Sequence, residues 1–193
     1  MTNMDVENTT DESWQWSRLR PWMMMLANQG LPDFLRHRVD ASDIVQHAMT
    51  EAWTSRESFE GTTTAERMAW LRVILKRTIL RQQERLLGTQ KRDMRRDFSL
   101  DQSVDDASMR LERFAVETAT GPDAAVEKAE QIVHVMAMLE QLPPDHRQIL
   151  VLRHLEELDH DAIAKRMNRS VSATRMLWIR ALKSLRKQIH SEG

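Results

Sequence analysis

The chain has 193 residues, with 28 basic and 29 acidic side chains and a formal net charge of −1. This length predicts one or two small domains rather than a large enzyme. Five glycines, five prolines and no tyrosine are a poor supply for hairpin turns and strands and nearly exclude an all-β fold. The absence of cysteine excludes disulfides and thiolate catalysis and is consistent with a cytoplasmic protein. No apolar run approaches the roughly 20 residues that span a bilayer, so we expect no membrane insertion.

Charge is unevenly distributed along the chain. Residues 1–13 contain four acids and no Lys or Arg, which predicts a disordered polar tail. Residues 67–92 carry eight basic side chains against one acid, and residues 162–191 carry eight against none. Between these segments, residues 97–130 hold nine acids against three bases. The neutral total therefore hides two basic segments separated by an acidic one.

The first half of the chain shows apolar residues at helical spacing. We predict a helix over about 14–28 and a second one that begins after an N-cap at Asp40, with Ile44, Val45 and Ala48 facing inward. Residues 59–64 read as a loop. A long helix follows over about 65–87, apolar on one side and basic on the other.

The middle of the chain is acidic and only loosely periodic. Residues 97–122 are predicted to form a partly helical linker, which when flexible leaves the flanking domains free not to touch. The predicted fold class is therefore all-α, with two small helical domains, 14–96 and 123–193, joined by an acidic linker.

The C-terminal part carries the clearest pattern. Asp159 is placed to cap one short helix and Ser170 the next, and Asn168 between them is placed to take a left-handed conformation. Two helices joined by a short turn, the second one basic outside and apolar inside, predict a helix-turn-helix. Arg175 suits a guanine edge, whereas Lys165 and Arg169 suit phosphates. The full set of predicted DNA contacts is Lys165, Arg169, Ser170, Ser172, Ala173, Arg175, Met176 and Arg180. The alternative is an amphipathic hairpin whose basic face is merely solvated.

Two blocks of sequence resemble a known family. Leu142-Pro-Pro-Asp-His-Arg147, followed by Val151–Glu156 and Ile163-Ala164, resembles region 4 of small, extracytoplasmic-function (ECF) sigma factors of the sigma-70 family. Asp43-Ile-Val-Gln46 with Ala52-Trp53, then Phe59 and Ala69–Leu71, is similar to region 2 of that family. His47, Arg77 and Arg81 depart from the family's usual residues.

The resemblance implies partners and roles. It implies a sigma factor that binds core RNA polymerase, at the β′ coiled coil through Asp43, Gln46 and His47 and at the β flap. Region 4 would read the −35 promoter element, and an anti-sigma factor is a further expected partner. The acidic linker would either lie in the polymerase channel where RNA later runs or act as a tether. Contacts with the −10 element, including its melting, would come from Phe59, Thr62, Thr63, Arg72, Lys76 and Arg77.

No catalytic pattern competes with this interpretation. The sequence has no Gly-rich phosphate loop and no Gly-x-Ser-x-Gly motif. His146, His154 and His160 have no neighbouring Cys and form no helical i, i+4 pair, so we expect no metal, no cofactor and no enzymatic activity. Two alternatives stay open: a helix-turn-helix regulator that is not a sigma factor, and an interaction protein that binds no DNA.

Overall fold

The structure, a computed structural model, describes residues 14, 16–87, 94–118 and 128–191, without the side chains of residues 33, 87 and 94–101. The predicted polar tail, residues 1–13, lies outside the described residues. All regular structure within the described ranges is helical, which confirms the all-α prediction. No helix within these ranges is both long enough and apolar enough to cross a membrane.

Nine α-helices are described along these ranges. They are α1 (Trp16–Gly30), α2 (Asp33–Arg36), α3 (Ala41–Ser55), α4 (Thr64–Leu87), α5 (Met94–Thr118), α6 (Lys128–Gln141), α7 (Pro144–Leu150), α8 (His160–Arg166) and α9 (Val171–Ser191). A short 3₁₀ turn, Arg56–Ser58, follows α3, and a π-helical turn, Val151–Leu155, continues α7.

Helix α1 lies at the centre of the N-terminal half. It packs against α3, α5 and α6, and its residues Leu19, Trp22, Met23 and Leu26 are buried. Helix α3 begins where predicted, because the Asp40 carboxylate accepts a hydrogen bond of 2.8 Å from the Ser42 amide. This cap satisfies one of the amide groups that the first helical turn leaves without a partner.

The acidic segment is more ordered than predicted. Its described part, up to Thr118, belongs to one continuous helix, α5, that packs along α1. The reason is an apolar stripe at helical spacing: Val104, Ala107, Leu111 and Phe114 are buried within the core. The rest of the predicted linker, residues 119–122, lies outside the described residues.

The two halves of the chain are in contact, although a flexible linker of this length would not have required them to touch. Helix α6 packs against α1 and α4 of the N-terminal half and also against α9. Its residue Glu130 accepts hydrogen bonds from Arg18 at 3.0 Å and from Thr64 at 2.5 Å. The buried apolar residues of both halves form one continuous cluster. The domain boundaries themselves stay a prediction.

The C-terminal half builds its own part of this core around α9. Helix α9 packs against α7, α8 and α6, burying Ile149, Leu150, Ile163 and Leu177. In the π-helical turn after α7, the backbone hydrogen bonds join residues five apart instead of four, so this turn holds one more residue than an α-helical turn. Leu152 and Leu155 of that turn are also buried.

Candidate nucleic-acid interface

The turn between α8 and α9 has the predicted caps. The Asp159 carboxylate accepts a hydrogen bond of 2.8 Å from the Ala162 amide at the start of α8. The Ser170 hydroxyl accepts one of 3.2 Å from the Ala173 amide at the start of α9. Asn168 has a φ of 52°, the left-handed conformation predicted for it. These three residues confirm a helix-turn-helix, with α9 as its second helix.

The outer face of α9 is basic and open to solvent. Lys165, Arg175 and Arg180 are exposed, and none of the ion pairs found among the described residues involves them. The Met176 side chain is also exposed, at 53%. The remaining members of the predicted set, Arg169, Ser170, Ser172 and Ala173, lie at the turn and the first turn of α9. We call the predicted residues that lie on α9 itself the α9 basic face: Ser172, Ala173, Arg175, Met176 and Arg180. Lys165 lies on α8, and Arg169 and Ser170 lie in the turn before α9.

Two cations beside this face are tied to acids of the same half. Arg169 donates to the Asp145 carboxylate at 2.5 Å, and Arg166 donates to that of Glu156 at 2.6 Å. Arg169 is therefore held in place at the start of α9. Lys165, which has no such partner among the described residues, is the freer of the two predicted phosphate contacts.

The inner side of α9 makes a partly buried contact with the π-helical turn. The Trp178 indole N–H donates a hydrogen bond of 3.1 Å to Nε2 of His154. The His154 ring also packs on Phe114 of α5, with ring centroids 4.9 Å apart. Burial lowers the pKa of His154, and the charge of Arg153 adds to this, while Glu117 acts in the opposite direction. The lowered pKa favours the neutral ring, which is the form that can accept from Trp178.

The second predicted DNA surface begins in the loop before α4. The Glu66 carboxylate accepts hydrogen bonds from the amides of Thr62 and Thr63, at 2.9 and 3.0 Å, and the Thr63 hydroxyl accepts one from the Glu66 amide. This reciprocal pair is a capping box, and it lowers the pKa of Glu66. Both threonines are exposed. The loop is therefore held in one conformation at the N-terminus of α4.

Phe59 belongs to an aromatic cluster under this loop. The centroid of its ring lies 5.2 Å from that of Trp14 and 5.1 Å from that of Trp70. The guanidinium of Arg67 lies over the Trp14 ring. A side chain at Gly61 would overlap the Phe59 ring, so only glycine allows the loop to close over it. Phe59 and Trp70 are half-buried. Phe59 is thus partly packed rather than freely presented.

The basic side of α4 is occupied by acids from two other helices. Arg72 and Lys76 contact Asp105 of α5, and Arg81 donates two hydrogen bonds to Glu51 of α3. The hydrogen bonds from Arg81 hold the pKa of Glu51 below its usual value. Arg77, the remaining basic residue of the predicted set, is exposed.

The predicted polymerase contacts share one face of α3. Asp43, Gln46 and His47 are all exposed at spacings of three and four residues. The His47 ring is fixed, because its Nδ1 donates to the Asp43 carbonyl oxygen at 2.8 Å. None of the three contributes to the buried core.

His146, His154 and His160, the histidines noted in the sequence, belong to no metal-binding group in the described part of the chain. No group of three His, Asp or Glu side chains there is placed to hold a metal ion. Nε2 of His154 accepts the hydrogen bond from Trp178. The His160 ring lies edge to face with the same indole, with ring centroids 5.7 Å apart.

The sequence interpretation missed two features of these surfaces that carry a readable signal. The Thr63-x-x-Glu66 spacing is that of a capping box. The spacing of Val104, Ala107 and Leu111 is that of a helix face. A third feature, the contact of Asp105 with α4, has no local signal, because its partners lie far apart in sequence.

The comparisons with known proteins bear on the helix-turn-helix. It has the capped turn and open basic second helix typical of a DNA-binding module. Residues 138–187, about a quarter of the chain, match the family model described as Sigma-70, region 4. Over these residues the C-terminal half is therefore similar to region 4 of sigma-70 factors.

Other comparisons add little. No curated protein matches the chain. Among solved structures, a chain of the "Cocrystal structure of the flagellar sigma/anti-sigma complex, Sigma-28/FlgM" aligns over 99% of both chains, with 17% identity and a TM-score of 0.36. The low TM-score means that the two chains are not shown to share an overall arrangement.

Proposed function

We propose that the chain is a sigma factor of the sigma-70 family, of the ECF type, that directs transcription initiation by core RNA polymerase. The observation that carries this proposal is the open basic face of α9 within the segment that matches sigma-70 region 4. The chain would act by binding rather than by catalysis, as a cytoplasmic protein without a cofactor. An anti-sigma factor as its regulator stays a prediction.

Recognition of the −35 element would fall to the α9 basic face. The N-terminal residues of the second helix reach base edges in the major groove. Arg175 is exposed there, beside the small residues Ser172 and Ala173, which let the backbone approach the groove. A guanidinium can donate two hydrogen bonds to a guanine edge. Lys165 and Arg169 lie at the turn, where phosphates would pass.

Binding to the polymerase β′ coiled coil would use α3. Asp43 and Gln46 are exposed and lie outside the core, so the fold does not require them. Exposed side chains that the fold does not need are available for a partner. Contacts with the β flap would come from the region 4 domain.

Opening of the −10 element would use the loop before α4 and the basic side of that helix. Thr62 and Thr63 are exposed on a loop that their hydrogen bonds to Glu66 hold in place. Arg72, Lys76 and Arg77 follow on α4. Basic side chains beside an aromatic ring, here that of Phe59, are the chemistry that single-stranded DNA requires.

The test is transcription in vitro by purified core polymerase with fragmented genomic DNA as template, with and without the chain. We expect transcripts with defined start sites only when the chain is present. The Asp43→Ala/Gln46→Ala variant should keep its helicity and melting temperature, but should co-purify less with core polymerase and yield fewer transcripts. A chain that binds DNA yet yields no start sites is instead a helix-turn-helix regulator.

A further inference from the structure

The acidic helix α5 lies against the basic residues that α4 would offer to DNA. Asp105 Oδ2 is 2.9 Å from the Lys76 ammonium, and Asp105 Oδ1 is 3.8 Å from Nε of Arg72. Arg72 also donates a hydrogen bond of 3.0 Å to the Ser108 hydroxyl, one turn further along α5. Two of the three basic residues proposed for the −10 element are therefore in contact with α5.

This arrangement covers Lys76 in particular. Its side chain is only 15% exposed, whereas that of Asp105 is 49% exposed. The acid is thus the more solvent-accessible member of the pair. A DNA phosphate approaching Lys76 from solvent would meet the Asp105 carboxylate first, and the two negative groups would repel each other.

We propose that α5 is an internal competitor of DNA, in which Asp105 takes the place of a backbone phosphate on Arg72 and Lys76. The free chain is then closed at its α4 surface, and single-stranded DNA binds there only as Asp105 is displaced. This inference rests on the proposed role of α4 in −10 recognition, and it adds a regulatory contact to that role.

The packing of α5 explains how the helix stays in place while the Asp105 side chain can leave Arg72 and Lys76. Val104 and Ala107, on the other side of the helix, are fully buried. Gly30 of α1 permits this close packing, because a Cβ there would lie 2.8 Å from Cγ2 of Val104. The helix is held by apolar contacts, whereas its ion pairs with α4 are partly exposed and each contribute little to stability. Displacing Asp105 therefore does not require the core to open.

The experiment measures binding of a fluorescein-labelled oligo(dT) strand to the full chain by fluorescence anisotropy. Asp105→Asn removes the charge with little change in shape. Asp106→Asn is the matched control: it removes the same charge one residue away, and Asp106 makes no ion pair among the described residues. We expect Asp105→Asn to bind about two- to fivefold more tightly than Asp106→Asn at low salt, and the difference to shrink as salt is added.

A second pair of variants tests whether the gain acts through α4. Arg72→Ala/Lys76→Ala should weaken binding in the Asp105→Asn background and remove the advantage of Asp105→Asn over Asp106→Asn, as in a double-mutant cycle.

The outcomes separate the two proposals. Equal affinity of Asp105→Asn and Asp106→Asn, with binding still weakened by Arg72→Ala/Lys76→Ala, overturns the competition and leaves the DNA surface on α4 standing. Binding that does not respond to Arg72→Ala/Lys76→Ala overturns the α4 surface itself, and the competition with it.

Discussion

The two basic surfaces of this chain differ in what lies on them. On α4, Arg72 and Lys76 contact an acid of α5, and Arg81 contacts an acid of α3. On α9, Arg175 and Arg180 make no ion pair in the part of the chain that the structure describes. If both surfaces bind DNA as proposed, the one on α9 is open, whereas Arg72 and Lys76 on α4 must first exchange their intramolecular partner for the ligand.

The difference shows that a count of basic residues is a poor guide to a binding surface. Residues 67–92, which include α4, and residues 162–191, which include α9, each carry eight basic side chains. Their availability is decided by the acids that the fold brings to them from elsewhere in the chain. For a proposed promoter-binding protein, this implies that duplex DNA can bind at α9 before the α4 surface is open.

The largest expected effect comes from removing the anchor of α5 in the C-terminal half. Phe114 is 2% exposed and packs on His154. We expect Phe114→Ala to lower the free energy of unfolding by about 3–5 kcal/mol, as for other buried aromatic residues. Urea denaturation measures this. Val116→Ala, exposed on the same helix, should change stability by less than about 0.5 kcal/mol. Equal effects of the two changes would mean that α5 does not pack on the π-helical turn.

The next largest effect concerns the open surface. Arg175→Ala should weaken binding to the cognate upstream element by about 1–3 kcal/mol and relax the preference at one base position. Stability should not change, because the side chain is exposed. Lys187→Ala, also exposed but near the far end of α9, is the control in a gel-shift titration. Equal loss on all DNA sequences would instead make Arg175 a phosphate contact.

A third prediction concerns His154, at the point where α5 meets the π-helical turn. Because burial lowers the pKa of His154, the unfolded chain binds more protons than the folded one between the folded-state pKa and about 6.5. Stability is therefore full above about pH 6.5 and falls as the pH drops below it, by at most about 1.4 kcal/mol per pH unit for one histidine.

His154→Gln should flatten part of this dependence in thermal melts across that range, since glutamine can still accept from Trp178 but does not titrate. The pKa of His160 is also lowered by burial and acts in the same direction, so some dependence remains. His190→Gln, at the exposed end of α9, is the control. A variant with the full dependence of the parent would show that His154 does not cause it.

The smallest expected effect tests the phosphate contacts at the turn. Lys165→Ala should weaken binding nearly uniformly across DNA sequences and reduce the slope of log affinity against log salt by about 0.9. Arg169→Ala should act in the same direction, with the added loss of its ion pair to Asp145. Titrations at several salt concentrations measure the slope. An unchanged slope for Lys165→Ala would remove that residue from the interface.

The predictions that the structure confirms rest on local physics. The caps at Asp40 and Asp159 and the left-handed Asn168 depend on side chains and backbone within a few residues, and a sequence displays those directly. By contrast, the acidic content of residues 97–118 hid a regular apolar stripe. The role of this stripe becomes clear only in the folded chain, where it packs against α1. The ion pairs of Arg72 and Lys76 with Asp105 join residues about 30 positions apart, and only the packed helices bring them together.

The predictions of site residues also divide into those that depend on a single helix and those that depend on packing between helices. Exposure of Asp43, Gln46 and Arg175 follows from the amphipathic period of a single helix, and the structure places all three on open faces. The covering of Lys76 and the half-burial of Phe59 depend on what packs against them, which the period of one helix does not determine. Glu157, with a φ of 55° and an ion pair to Arg113, has no signal comparable to that of Asn168.

The central position of α1 affects how the chain folds during its synthesis on the ribosome. Residues 16–87 are synthesised first, yet α5 and α6, which cover faces of α1, end only at Thr118 and Gln141. Until then the nascent chain presents apolar side chains of α1 to its surroundings, the condition that recruits chaperones or leads to aggregation. A product that stops before Lys128 is thus expected to fail as a free-standing half, although its sequence looks like a complete small domain.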